Sequence, residues 1–320
     1  VVDASNSMND LAPGSLDRSK WSVTAEALSK SLDSLAPETG VGMKFYPLIT
    51  AEAAYYPRPV TMCINSSSDR ELALLGPAGS PARTAIANAL GSIAPQGGTP
   101  THDAWVLGKA ALDRSTLEGA RFMVLITDGQ PTYSRYCIGT GAAEDAVSPE
   151  PIIRAIQAAR DEGVRTFIIG APGSERSSVT GVDTRPWLSR AASTGGTARE
   201  GCSDAGPNYC HFDMSVETSF ADGLAKALAT ISEELIACEY QLPAPPQGQT
   251  LDPKSVNVIY TPGGGVATLV PKSEAAACTS GWRFSDDGKR VLLCPNTCDQ
   301  VRADRAGKLE LLFGCATVLK

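Results

Sequence analysis

The chain has 320 residues, 42% of them hydrophobic, and a formal net charge of −7. That length accommodates one large domain and a smaller one, and no apolar run approaches the length needed to span a bilayer. Lys and Arg are scattered and form no basic stripe for phosphates, which excludes nucleic acid as a partner.

The chain opens on Val1-Val2-Asp3-Ala4-Ser5-Asn6-Ser7-Met8. Two β-branched residues run into Asp-x-Ser-x-Ser, which reads as a buried strand ending in a loop of oxygen donors. Carboxylate and hydroxyl oxygens suit a hard divalent cation; the same residue types also cap helices. Only two residues precede Asp3, whereas a strand usually has about 5–6. The native N-terminus is therefore expected to have been removed, with any signal peptide or lipid anchor it carried.

Trp21, Ala25, Leu28, Leu32 and Leu35 recur at helical spacing, with Ser19 as cap. Residues 40–46 read as a strand, 48–80 as loop with one strand at 59–64, and Ala82, Ile86, Leu90 and Ile93 as a helix. Gln96-Gly97-Gly98-Thr99-Pro100-Thr101 is a tight turn into a third helix, which carries Ala104, Leu107, Ala111 and Leu112. Phe122-Met123-Val124-Leu125-Ile126 is apolar on both faces, as a central parallel strand is, and runs into Thr127-Asp128-Gly129. Helix 151–162, strand 164–169 and helices 186–193 and 216–236 follow. This alternation predicts an α/β fold, a doubly wound and mostly parallel sheet, over residues 1–236.

Residues 237–320 read differently: a Pro-rich linker, then strand-like runs at 255–261, 266–270, 282–285, 290–294 and 308–313, with Asp286-Asp287-Gly288-Lys289 as a hairpin turn. This is a small β module of the kind that needs disulfide staples. The nine cysteines are Cys63, Cys137, Cys202, Cys210, Cys238, Cys278, Cys294, Cys298 and Cys315. None forms a CxxC pair, and neither His102 nor His211 has ligand-like spacing to them, so zinc is poorly supported and disulfides are expected. Disulfides imply an oxidising, extracytoplasmic location; buried thiols in a cytosolic protein are the alternative. Cys202–Cys210 is the anticipated bridge of a short loop; connectivity in the β module is left open by the sequence, with Cys238–Cys315 as one pairing that would clasp its ends.

Asp3 and Asp128 both end buried parallel strands, where ligands of such sheets bind. Two carboxylates there repel unless a cation sits between them. With Ser5, Ser7 and Thr99 they make five oxygen ligands from three loops. Mg²⁺ is the natural fit, with Mn²⁺ or Ca²⁺ as alternatives.

Asp3-Ala-Ser5-Asn-Ser7-Met8, Gly97-Gly-Thr99-Pro-Thr101 and Ile126-Thr-Asp128-Gly129 resemble the three parts of the metal-ion-dependent adhesion site (MIDAS) of von Willebrand factor type A (VWA) domains. The segments 166–170 and 192–197 are similar to others of that family; Asn6 departs from its frequent Gly. The Cys-rich tail resembles extensions of bacterial cell-surface or lipoprotein A-domain proteins. The resemblance implies a non-enzymatic binding or adhesion module. Asp3, Ser5, Ser7, Thr99 and Asp128 would hold the cation, a partner protein's Asp or Glu would fill its open position, and the last helix would be free to shift. Partner contacts would come from loops 9–18, 130–148 and 173–184, with Tyr133, Arg135 and Tyr136 as candidates. Two other readings stand beside this one. In a scaffold, the cation would only stabilise the fold. A Mg²⁺-dependent phosphotransfer enzyme would use an aspartyl nucleophile, but its usual second acid is replaced here by Ser5, and no phosphate loop or other catalytic motif is present.

Overall fold

A computed structural model describes residues 1–47, 68–117, 121–132, 146–177, 180–234, 238–242, 255–274, 278–285, 288, 290–304 and 307–314. The chain divides into two compact units, the first comprising Val1–Leu117 and Arg121–Ile231 and the second running from Ser232 onward.

The elements of the first unit are, in chain order, β1 (Val2–Asp3), α1 (Lys20–Ser34), β2 (Gly40–Met43), β3 (Phe45–Tyr46), β4 (Arg70–Leu74), α2 (Pro81–Ser92), α3 (Thr101–Asp113), β5 (Phe122–Thr127), α4 (Glu150–Asp161), β6 (Arg165–Gly170), α5 (Arg185–Thr194), β7 (Phe212–Asp213) and α6 (Phe220–Glu234). Five strands form one sheet in the order β3-β1-β5-β6-β7, and every pairing in it is parallel. From β1 the chain goes first to the β3 side and later to the β5 side. The order therefore reverses between β1 and β5, and a doubly wound sheet opens a crevice at the carboxyl ends of the strands at such a point. Asp3 closes β1, and Asp128 follows β5 directly.

Alternation along the strands supplies both faces of the core. Met123, Leu125 and Ile168 join Trp105, Ile152, Ile156 and Leu188 in one buried cluster. On the other side Phe45 meets Trp21 of α1 edge to face at 6.1 Å. The Ser19 hydroxyl accepts from Ser22 N and starts α1, as its position before the apolar repeat predicts. The buried face of α1 is Lys20, Trp21, Val23, Thr24, Ala27, Leu28 and Leu32.

Several expectations are corrected. Residues 40–46 are two strands, because Asp69 accepts from Phe45 N at 3.2 Å and pairs with Lys44. β2 leaves the main sheet there and forms an antiparallel ribbon with β4, a segment read as loop. The proposed strand at 59–64 lies outside the described residues. α6 begins at Phe220, because Asp213 caps a separate single turn, Met214–Val216, through Ser215 N at 2.9 Å.

The second unit contains β8 (Glu239–Gln241), β9 (Val256–Thr261), β10 (Thr268–Val270), β11 (Trp282–Phe284), β12 (Arg290–Leu293), α7 (Pro295–Ala303) and β13 (Lys308–Phe313). They make two three-stranded antiparallel sheets, β10-β9-β13 and β11-β12-β8. The core is Val256, Val258, Tyr260, Val270, Trp282, Val291, Leu293 and Val301, and the Trp282 indole donates to Val270 O at 3.0 Å. Disulfides join Cys278 to Cys294 and Cys238 to Cys298. The Cys238–Cys315 pairing is thereby corrected. Cys298 lies on the buried side of α7 with Val301, against the cluster that Cys238 also packs on; Cys315 lies outside the described residues. The Cys202–Cys210 bridge is present in the first unit.

Candidate metal centre

Three loops converge at the crevice, held to one another by main-chain bonds. Gln96 N donates to Ala4 O at 2.9 Å, Asn6 N to Gly97 O at 3.0 Å, and Thr132 N to Thr99 O at 2.9 Å. The Thr132 hydroxyl in turn accepts from Thr99 N at 2.7 Å. The loops after β1, before α3 and after β5 are thus one assembly, and Asp3, Ser5, Ser7, Thr99 and Asp128 all lie on them.

Asp3 and Ser5 are inaccessible to within 1%. Ser5 N and the Thr127 hydroxyl each donate to one Asp3 carboxylate oxygen, at 2.9 and 2.7 Å. The Ser5 and Ser7 hydroxyls stand 3.2 Å apart. Thr99 and Asp128 are also buried. Among the described residues, neither the Thr99 hydroxyl nor Oδ1 of Asp128 has a hydrogen-bond partner. Burial, and then the facing charge of Asp128, push Asp3 up to about 7, against the hydrogen bonds from Ser5 and Thr127 that pull it down. Two carboxylates so placed favour either a shared proton or a cation between them.

The donor set fits a hard divalent ion. It is made of carboxylate and hydroxyl oxygens with two of them uncommitted, and no nitrogen or sulfur donor belongs to it. Among the described residues no group of three or more His, Cys, Asp or Glu side chains is arranged to hold a metal ion.

Two partners of the site escape motif reading. Thr127 orients Asp3. Lys20, only 4% exposed, places its ammonium 2.9 Å from Oδ2 of Asp128 and 2.9 Å from Pro172 O, and 3.5 Å from Asp10. The available signal was a lysine at the first position of α1, on the helix face that Thr24 and Leu28 also bury. Tyr133, Arg135 and Tyr136 lie outside the described residues. His102 bonds its neighbour Asp103 at 3.0 Å. His211 lies in the bend just before β7 and is 1% exposed.

Among solved structures the chain is similar to the pilus adhesin SpaC from Lactobacillus rhamnosus GG, at 17% identity and a TM-score of 0.51 over 92% of this chain and 36% of that one. It is also similar to a von Willebrand factor type A protein from Catenulispora acidiphila (15% identity, TM-score 0.44, 82% of this chain and 44% of that one). A third likeness is to proximal thread matrix protein 1 from the mussel byssus (17% identity, TM-score 0.40, 72% and 43%). The chain spans 36% of the adhesin's length. The first likeness speaks to the fold, a parallel α/β sheet flanked by helices. No protein-family model and no curated protein matches the chain.

Proposed function

We propose that this chain is an extracytoplasmic, divalent-metal-dependent protein-binding module of adhesion type, a VWA domain with a MIDAS, rather than a catalyst. The observation that carries the reading is the pair of buried carboxylates at the switch point, Asp3 and Asp128, with the Ser5, Ser7 and Thr99 hydroxyls around them. Mg²⁺ is the expected ion, with Mn²⁺ or Ca²⁺ as substitutes. When bound it supplies a Lewis-acidic coordination position that attracts a carboxylate. Asp3, oriented by Thr127 and Ser5 N, and Asp128 would neutralise it, the three hydroxyls would add neutral donors, and a partner's Asp or Glu would complete the shell. The three disulfides among the described residues support an oxidising, extracytoplasmic setting, and the shared fold of a pilus adhesin is in keeping with adhesion. No helix among the described residues is long and apolar enough to cross a membrane.

The test is capture of envelope and matrix proteins on immobilised protein, with Mg²⁺ against a chelator. The proposal expects a captured partner to be released by the chelator and by excess soluble acetate. Capture indifferent to both contradicts it.

A further inference from the structure

A buried lysine is rare unless it is paired, and nothing in the proposed metal chemistry calls for a cation of the protein's own. Lys20 is also placed against helix electrostatics. It is the first residue of α1, where the helix macrodipole disfavours positive charge. Its ammonium nevertheless donates to Asp128 and Pro172 and lies 3.5 Å from the Asp10 carboxylate. The room is provided by Gly173, which has φ +108°; a Cβ there would lie 3.2 Å from the Lys20 ammonium and 3.7 Å from the Asp128 Cβ. Three segments, the start of α1 and the loops after β5 and β6, thus build one cradle for one ammonium at the edge of the candidate centre.

We propose that Lys20 is a built-in counter-cation: it claims one oxygen of Asp128, holds the metal-free centre together, and leaves a bound divalent ion with net positive charge to offer an incoming carboxylate. The inference rests on the metal-site reading above and goes beyond its five ligands. Asp3 and Asp128 alone would cancel a divalent ion. With Lys20 the buried group carries one positive charge in excess, while Asp10, whose side chain is 70% exposed, is largely screened by water. Lys20 is a positioning residue that acts through Asp128 and through the field. It should weaken the metal's own binding and strengthen binding of the carboxylate ligand. A purely structural role would weaken both on removal, so the opposite signs are diagnostic.

The experiment titrates Mn²⁺ calorimetrically into chelator-treated wild type, Lys20→Met and Lys20→Gln. Acetate is then titrated into the Mn²⁺-loaded proteins while water-proton relaxation reads displacement of metal-bound water. Both variants are expected to bind Mn²⁺ about tenfold tighter, because a like charge within a few ångströms is gone. Without metal they should melt lower, and acetate should bind several-fold more weakly. Lys20→Gln keeps a hydrogen-bond donor for Asp128 without the charge, so it separates charge from bonding and gives a second route if Lys20→Met fails to fold. Mn²⁺ affinity equal to or weaker than wild type in a folded variant, whether acetate binding is unchanged or also weakened, overturns the role of Lys20 and leaves the metal site standing. No Mn²⁺ binding to wild type overturns both.

Discussion

At the scale of single residues, His211 carries the clearest pH dependence. It packs against Gly170, where a Cβ would come within 2.8 Å of its Nε2, and neither ring nitrogen has a hydrogen-bond partner among the described residues. Burial pushes it down to about 4 from its ordinary 6.5, although the Asp213 carboxylate pulls the other way. Between those values the unfolded chain binds a proton that the folded chain refuses, so the contribution of His211 to stability falls as pH drops from about 6.5 to about 4, by roughly 3 kcal/mol at most. Asp3, held at about 7, contributes the opposite sign to both proteins, so the readout is a difference: the stability of wild type relative to His211→Gln, from melting curves, should fall between pH 8 and pH 4, and a constant difference would refute it. Ser19 is simpler: Ser19→Ala removes the bond to Ser22 N and should cost about 1 kcal/mol in urea unfolding. The cap was legible because it is local. Lys20, one residue on, was not: its partners lie 108 and 152 residues away, and nothing in the spacing of charges along α1 points to them.

At the scale of elements, long runs with one clear period were readable, and short or mixed ones were not. β5, apolar on both faces, declares a central strand. β7 has two residues and takes its place only by pairing Phe212 with Ile169 and Asp213 with Gly170. β4 is Arg-Glu-Leu-Ala-Leu with mostly exposed side chains in a two-stranded ribbon, so no alternation marks it. α7 hides in a polar stretch in which Cys298 and Val301, three apart, are buried. The loop after β5 is the element on which the candidate centre depends most. Gly129 has φ +134°, and a Cβ there would lie 2.3 Å from the Thr184 hydroxyl. Gly129→Ala should therefore cost about 1–3 kcal/mol in urea unfolding, displace Asp128 and weaken Mn²⁺ binding by about tenfold. A variant with wild-type stability and affinity would show that the loop tolerates another path.

At the scale of the whole molecule, the division into an α/β unit and a disulfide-bonded β unit follows the change in composition near Cys238, and its physical basis is size. The second unit is too short to rest on apolar burial alone. Cys238–Cys298 spans 60 residues and Cys278–Cys294 spans 16. Replacing Cys278 and Cys294 by Ser should destabilise this unit by about 3 kcal/mol. Limited trypsin digestion, followed by mass spectrometry, should then show faster cleavage at Lys272, Arg283 and Arg290; an unchanged rate would mean the core suffices. Connectivity was the illegible part, since spacing alone leaves many pairings open. The five proposed oxygen donors could be picked out as residue types because each lies in a short motif beside a strand or helix end. Which loops lie next to one another depends on strand order, which reverses between β1 and β5.

Whether those donors take a metal decides what the crevice is for. Calorimetric titration of Mg²⁺ and Mn²⁺ into chelator-treated protein, wild type beside Asp128→Ala, measures this directly. Saturable binding to wild type that is lost in the variant is expected. No binding to wild type, or equal binding by both proteins, would contradict a metal site there.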